Sequence, residues 1–324
     1  MAAAAPTIGD VVPLERVRAA AERARPYVLR TPLLPIGRNG YLKLECLQPT
    51  GSFKVRGFFA EALLLPEAER RRGLLTVSAG NAAQACAYVA HRLGVPCRTL
   101  MFDTAPPTKI AGVRQWGGEP FFLPREELLA WMGREGWRDE PEWFVHPFAG
   151  EELIAGHGGI ALEIVEELPE VGRVIVPVGG GGLISGVGGA LKQLRPGAEV
   201  IGVQSSGYPM WPRSFARGEH APFTPQTIAD GTTGPWSAAM HERLGQVVDR
   251  WLEVPEARLR RAVAELSADR KIVAEGAGAL PFAALELVGP DRPTVAVISG
   301  GNVDPGLLGR LLIELAEARA VRGL

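Results

Sequence analysis

The sequence predicts an α/β protein with parallel sheets built from alternating strands and helices, and three observations lead there. Residues 74–123 read as strand, helix, strand, helix, strand, with short apolar runs at 74–78, 97–102 and 119–123. The alternation resumes further on, with strands at 173–178 and 200–204 flanking a helix at 183–194. Two of these strands run straight into small-residue turns that open helices, Ser78-Ala79-Gly80-Asn81 and Gly179-Gly180-Gly181-Gly182-Leu183.

Taken in order, the first helix covers residues 13–25, with Leu14, Val17, Ala20 and Ala21 on one face and arginines opposite. Pro26 and Pro32 lead to a short strand at 41–45. The helix at 81–93 is ended by Gly94 and Pro96, and the next, at 107–116, has proline near its start and Gly117 at its end. Phe144 and Val145 open a second region, where the segment 156–164 enters a helix that ends before Pro169. Residues 207–234, rich in proline, glycine and aromatics, suggest irregular loop and short helix. A strand at 251–254, helices at 256–268 and 277–287, a strand at 294–298 and a final helix complete the chain. The charge runs Arg125-Glu126-Glu127 and 258–261 read as solvated helix faces. No internal repeat or low-complexity tract is present.

Composition narrows the function classes. At 324 residues, 46% hydrophobic and 22% charged, the chain has the make-up of a soluble globular protein with a substantial core. A formal net charge of −1 gives no support to a nucleic acid or an acidic membrane as partner. Cys46, Cys86 and Cys97 form no paired spacing, which fits a reducing cytoplasm better than a disulfide framework. No Cys/His cluster has the spacing of a metal site, and no run reaches the ~20 apolar residues of a membrane span. Residues 1–6 lack the basic region and apolar stretch of a signal peptide.

The chemistry gathers at a few short stretches. Pro49-Thr50-Gly51-Ser52-Phe53-Lys54-Val55-Arg56-Gly57 holds one of only five lysines in a chain with 30 arginines. A desolvated lysine can lose its proton and attack a carbonyl, which arginine cannot do. Read alone, the segment is equally a capped helix start with Lys54 in solvent. Gly179–Gly182 would set several backbone N–H groups around a phosphate at the positive end of a helix. Neither the Walker pattern nor the dinucleotide fingerprint fits that loop, although a plain tight turn remains open. The Ser78–Asn81 turn could present N–H groups to a carboxylate, or simply cap its helix. Ser299-Gly300-Gly301-Asn302 ends the last strand, and Glu275 stands before Gly276-Ala277-Gly278. None of the histidines is assigned to catalysis.

The nonapeptide around Lys54 resembles the Schiff-base segment of the fold-type II pyridoxal 5'-phosphate (PLP) enzymes, most closely the serine/threonine dehydratases (threonine deaminases). The later stretches resemble the same family in the same order, from about residue 12 to about 304. The resemblance implies a two-domain, tryptophan-synthase-β-like α/β fold with parallel-type sheets. Residues 1–47 and 146–324 would form a discontinuous large PLP-binding domain, and 48–145 a small mobile one. It further implies that Lys54 carries PLP and acts as the catalytic base. Phe53, Asn81, Gly179, Gly180, Gly181, Gly182, Leu183, Gly231 (in Ala229-Asp230-Gly231-Thr232), Glu275 and Ser299 would join Lys54 in binding the cofactor. Ser78, Ala79, Gly80 and Asn81 would receive the substrate carboxylate.

The implied reaction is elimination and deamination of L-threonine or L-serine to a 2-oxo acid and ammonia by a cytoplasmic homodimer or homotetramer. Three departures from the family pattern are visible: Ala82 where His is usual, His157 where Gln is usual, and Gly276 where Pro follows the glutamate. Three alternatives stand beside this reading. They are an amino-acid racemase, a dehydratase of another 3-hydroxy amino acid, and a non-catalytic PLP- or amino-acid-binding regulator. Ala79 argues against the racemase, because racemase relatives carry a second serine there and a methyl group moves no proton. No divalent metal is expected, since the loop at 205–210, where metal-dependent relatives place acidic ligands, has no carboxylate. The chain's end soon after Asp304 leaves no room for an amino-acid-sensing domain, so insensitivity to isoleucine is expected.

Overall fold

The computed structural model describes residues 10–321, so the segment 1–6 lies outside the described residues. Ten strands are present among them: β1 (Leu33–Ile36), β2 (Gly40–Lys43), β3 (Leu74–Val77), β4 (Cys97–Phe102), β5 (Glu119–Leu123), β6 (Trp143–Phe144), β7 (Arg173–Pro177), β8 (Glu199–Ser205), β9 (Arg250–Val254) and β10 (Thr294–Val297). They form two sheets, a six-stranded one in the order β1-β2-β10-β7-β8-β9 and a four-stranded one in the order β5-β4-β3-β6. Every pairing is parallel except β1 with β2. The sheets are thus of the expected parallel type, and the one antiparallel hairpin stands at an edge of the larger sheet. Pro35 hid it, since proline weakens a strand pattern and is tolerated here because β1 lies at a sheet edge.

Two expectations are corrected. Phe144 does not open the second region but closes the four-stranded sheet, with β6 pairing β3 in the register Leu75 to Phe144. Two residues show too little period to be read as a strand. The segment 156–164 does not enter a helix either; it lies inside the helix Glu151–Glu167. Its glycines let neighbouring helices approach: a Cβ on Gly156 would stand 2.6 Å from the Arg56 carbonyl oxygen. The helices Leu14–Ala24, Lys54–Ala62 and Gly182–Leu194 all pack on this one.

A buried ionic network fixes the helix that begins at Lys54. Arg56 donates to both oxygens of Glu45, at 2.7 and 2.8 Å, and to both of Glu163, at 2.7 and 2.9 Å. Lys43, fully buried, reaches Glu163 at 2.6 Å. Burial pushes the Glu45 carboxyl up, but the Arg56 charge and the Arg56 and Thr31 hydrogen bonds hold it below its usual range. Two residues after Lys54, the backbone is thus pinned to β2's exit and to the Glu151–Glu167 helix. The main apolar core runs through both halves of the molecule, from Val17 and Phe58 to Val174 and Val295. A smaller cluster around Trp131, Trp137 and Phe144 covers the outer face of the four-stranded sheet.

Candidate active site

Lys54 is the first residue of the helix Lys54–Ala62. The turn before it needs Gly51 at φ +71°, where a Cβ would stand 2.5 Å from Asn302 Oδ1. This turn is stitched to the one after β10: Ser52 bridges Gly300, Phe53 N–H donates to the Ser299 carbonyl at 3.0 Å, and Gly301 N–H to the Gly51 carbonyl at 2.8 Å. The two stretches are some 250 residues apart in sequence. The Lys54 ammonium donates to the Pro147 carbonyl and lies 5.0 Å from the centre of the Phe53 ring. Burial draws its pKa down to about 8, against the opposing pull of the Glu275 carboxylate.

The glycine turn lies between β7 and the helix Gly182–Leu194. All four glycines are crowded. A Cβ would come within 2.6 Å of the Gly231 carbonyl at Gly179, 2.3 Å of the Phe148 ring at Gly180, 2.5 Å of Met240 Sδ at Gly181 and 2.2 Å of the Phe148 carbonyl at Gly182. Gly181 also has φ +90°. By helix geometry, the first-turn amides of Gly182, Leu183 and Ile184 have no intrahelical acceptor, so they remain for an anion. Pro147 and Phe148 are consecutive, so one short loop both receives the Lys54 ammonium and walls the glycine turn. His146 sets that loop, its Nδ1 accepting the N–H groups of Phe148 at 3.3 Å and Ala149 at 3.0 Å. Burial and the nearby Lys54 charge pull its pKa to about 3, so the imidazole is neutral.

Opposite stands the Ser78–Asn81 turn, at the start of the helix Asn81–Leu93. Ser78 Oγ accepts the Gly80 N–H at 3.0 Å. Asn81 reaches across to the other half, donating to Glu275 Oε1 at 2.7 Å and accepting from Asn302 Nδ2 at 2.7 Å. Burial pushes the Glu275 carboxyl up to about 7, with the Asp230 charge adding to it and the Asn81 amide opposing. A Cβ on Gly231 would meet Ala277 Cβ at 3.1 Å and Glu275 Oε1 at 3.8 Å, while its carbonyl crowds Gly179. Lys109 also crosses between the halves, donating to Asp230 at 2.6 Å.

The structure therefore places Lys54, Phe53, Ser299, Glu275, Asn81 and Gly231 in one connected neighbourhood and ties Gly179–Gly182 to it through Phe148 and Gly231. Leu183 is buried in the first turn of the glycine-turn helix, and Ala79 packs against the main core. The arrangement fits PLP. It offers a phosphate cradle that any side chain would fill, and a lysine whose pKa burial has drawn down to about 8. It also has two buried hydroxyls beside that lysine, Thr50 Oγ1 and Ser52 Oγ, without a protein partner among the described residues.

Sequence reading missed His146, Pro147, Phe148 and Met240, which carry no local signal, and gave Asn302 no role of its own within the Ser299–Asn302 turn. It passed over His157, which is fully buried, edge-on to Phe53 at 4.7 Å, and has both nitrogens unpartnered among the described residues. Its packing against Gly57 and Gly186 could be read only in three dimensions.

Comparison with known proteins adds four findings. Residues 24–300 match the model of the family described as pyridoxal-phosphate dependent enzyme. L-threonine ammonia-lyase of Thermotoga maritima is 40% identical over 287 residues, covering 85% of this chain and 70% of that protein. Among solved structures, a threonine deaminase from T.th. superposes with a TM-score of 0.82 at 36% identity, covering 90% of this chain and 98% of the other. Maize serine racemase superposes at 0.86 with 28% identity, covering 96% and 99%.

Proposed function

The chain belongs to the pyridoxal-phosphate dependent enzymes, and from that premise we propose that it is an ammonia-lyase converting L-threonine or L-serine to a 2-oxo acid and ammonia. One observation carries the proposal furthest. The lysine amine and the glycine cradle are joined by the single loop Pro147–Phe148, so a phosphate-bearing aldehyde could be held at both ends.

Bound PLP would supply an electron sink that lets the substrate's α-proton leave and its β-hydroxyl be expelled. The remaining work falls to the protein. Lys54 would hold PLP covalently. Once displaced by the substrate amine, Lys54 would take the α-proton, for which a pKa of about 8 suits neutral solution. Gly179–Gly182 and Leu183 would bind the phosphate through backbone N–H groups. Asn81 would donate to the ring hydroxyl, and Ser299 would face the ring nitrogen without forcing a proton onto it, unlike a carboxylate. Phe53, Gly231 and Glu275 would enclose the ring. The Ser78–Asn81 turn would receive the substrate carboxylate.

Within residues 48–145, the part around the four-stranded sheet would move to bring that turn onto the substrate and exclude water, while the helix from Lys54 stays pinned through Arg56. Support comes from Asn81 and Lys109, whose contacts to Glu275, Asn302 and Asp230 span the two halves. A cytoplasmic setting goes with the proposal, supported by the spacing of Cys46, Cys86 and Cys97, which is not that of a disulfide framework. Assembly as a homodimer or homotetramer completes the proposal, with sedimentation as its check.

Borohydride reduction and peptide mapping test the core of it. Label is expected on Lys54, and Lys54→Ala should lower 2-oxo acid release by roughly 10⁴-fold or more. Label on another lysine, or a panel of hydroxy amino acids yielding no 2-oxo acid, would sink the assignment.

A further inference from the structure

A cavity of about 350 Å³ opens between the end of the helix Lys54–Ala62, the strand β6 and the start of the helix Glu151–Glu167. This volume falls within the roughly 300–1,000 Å³ of small-molecule sites. One wall is aromatic: Trp137 and Phe144 stack at 4.7 Å between ring centres, and Trp143 stands beside them. The other wall is acidic, with Glu61, Glu151 and Glu152. Arg16 and Arg23 engage Glu152, and Arg16 and Arg243 engage Glu151.

Glu61 is different. Its Oε1 accepts the Trp143 indole N–H at 3.3 Å, while Oε2 is buried and has no partner among the described residues. The Trp137 indole nitrogen is likewise buried without a partner among the described residues. Burial pushes the Glu61 carboxyl up to about 7, the Trp143 bond opposing and the Glu152 charge adding to it. A buried carboxylate with no counter-charge is costly, and a cation beside it removes that cost. Aromatic faces attract the same kind of ligand, most strongly where water is excluded. Leu64, Leu65 and Pro66 add apolar surface suited to a short hydrocarbon body.

We propose that this cavity binds a small organic cation, a primary ammonium on a short apolar body, with Glu61 as its counter-ion. The site is independent of the reading of Lys54, yet it adjoins the same loop. His146 lines the cavity and holds the amides of Phe148 and Ala149, so an occupant bears on the segment that contacts Lys54 and the glycine turn.

Calorimetric titration of the holoenzyme in phosphate, free of amine buffers, tests the proposal with n-butylammonium chloride as probe and 1-butanol as its neutral counterpart. Saturable binding of butylammonium is expected, at least tenfold tighter than butanol. Glu61→Gln should weaken it at least tenfold, and Trp137→Leu severalfold, with each variant's thermal unfolding checked for a single cooperative transition. Should Glu61→Gln not fold, the Trp137→Leu result and the wild-type preference for butylammonium over butanol decide the matter. Equal binding of butanol, no saturable heat with butylammonium, or unchanged affinity in a folded Glu61→Gln protein would each overturn the assignment.

Discussion

The turns at Gly179–Gly182 and Ser78–Asn81 share one local plan, a parallel strand running into a helix N-terminus, yet their surroundings differ sharply. At the glycine turn a Cβ at any position would lie 2.2–2.6 Å from a neighbour, two of those neighbours being backbone carbonyls. The Gly179 carbonyl is also held by the Trp211 indole at 2.6 Å. At the other turn, a Cβ on Gly80 would meet only Ser78 Oγ, at 4.0 Å. One motif can thus be an anchor or a clamp. Crowding fixes the first in place, while the space around Gly80 would let the second close on a ligand as the proposed function requires. Only a few polar contacts, Asn81 to Glu275 and to Asn302, tie the clamp to the opposite half.

A pair of alanines should separate the two turns most strongly. Gly182→Ala drives a methyl into the Phe148 carbonyl, a backbone atom that cannot swing aside. Overpacking of this kind should cost about 2–3 kcal/mol in chemical denaturation and abolish PLP retention after gel filtration. Gly80→Ala, at φ −119°, should leave stability within about 0.5 kcal/mol and retain PLP, and should raise KM through the substrate turn. Equal losses of stability would show that the two turns are not anchor and clamp.

Glu275 is the clamp's tether, and its titration gives a finer measure of the contrast. In the folded, cofactor-free protein its pKa stands at about 7 against an ordinary 4.5. Between these values the folded state binds the extra proton, so its stabilising effect is present below about 4.5 and is lost as pH rises through about 7. At about 1.4 kcal/mol per unit the loss is bounded near ~3 kcal/mol. Glu61, also raised to about 7, contributes in the same direction. The His146 and His157 imidazoles, both drawn below 6.5 by burial, act in the opposite direction as pH rises towards 6.5. The measure is therefore a difference: in urea titrations, wild-type stability minus that of Glu275→Gln should fall by up to about 3 kcal/mol between pH 4.5 and 7. A difference between the two proteins that stays flat or rises over this window would contradict the assignment.

The smallest expected effect concerns Ala79, within the clamp. Its methyl group neither gives nor takes a proton, so elimination should yield 2-oxo acid with negligible D-amino acid. Ala79→Ser should open a slow racemase channel, roughly 1% or less of the 2-oxo acid rate. Chiral chromatography of long incubations measures both. D-serine formed by the wild-type chain as fast as pyruvate would reverse this reading, an outcome worth testing given the overall likeness to maize serine racemase.

Much of this was legible from residues alone, because the relevant information is local. The helix Asn81–Leu93 and the strands Cys97–Phe102 and Glu119–Leu123 fall on their expected bounds, marked by apolar period and by glycine and proline at the ends. Lys54 at a helix start and glycines at a strand's exit were also visible as patterns. Other features depended on what a distant segment brings into contact. Pro35 disguised β1 until β2 paired with it. Gly156 looked like a helix entry until Arg56 packed against it. The loop at 205–210 has no carboxylate of its own, and Glu256 comes from 51 residues away to accept the Ser205 hydroxyl, a contact no local pattern announces. Phe148 as the wall of the cradle, Glu275 near neutrality and the unpaired Glu61 belong to the same class. Period and turn chemistry are set within a few residues of chain, whereas burial, crowding and charge pairing exist only once residues far apart in sequence share the same space.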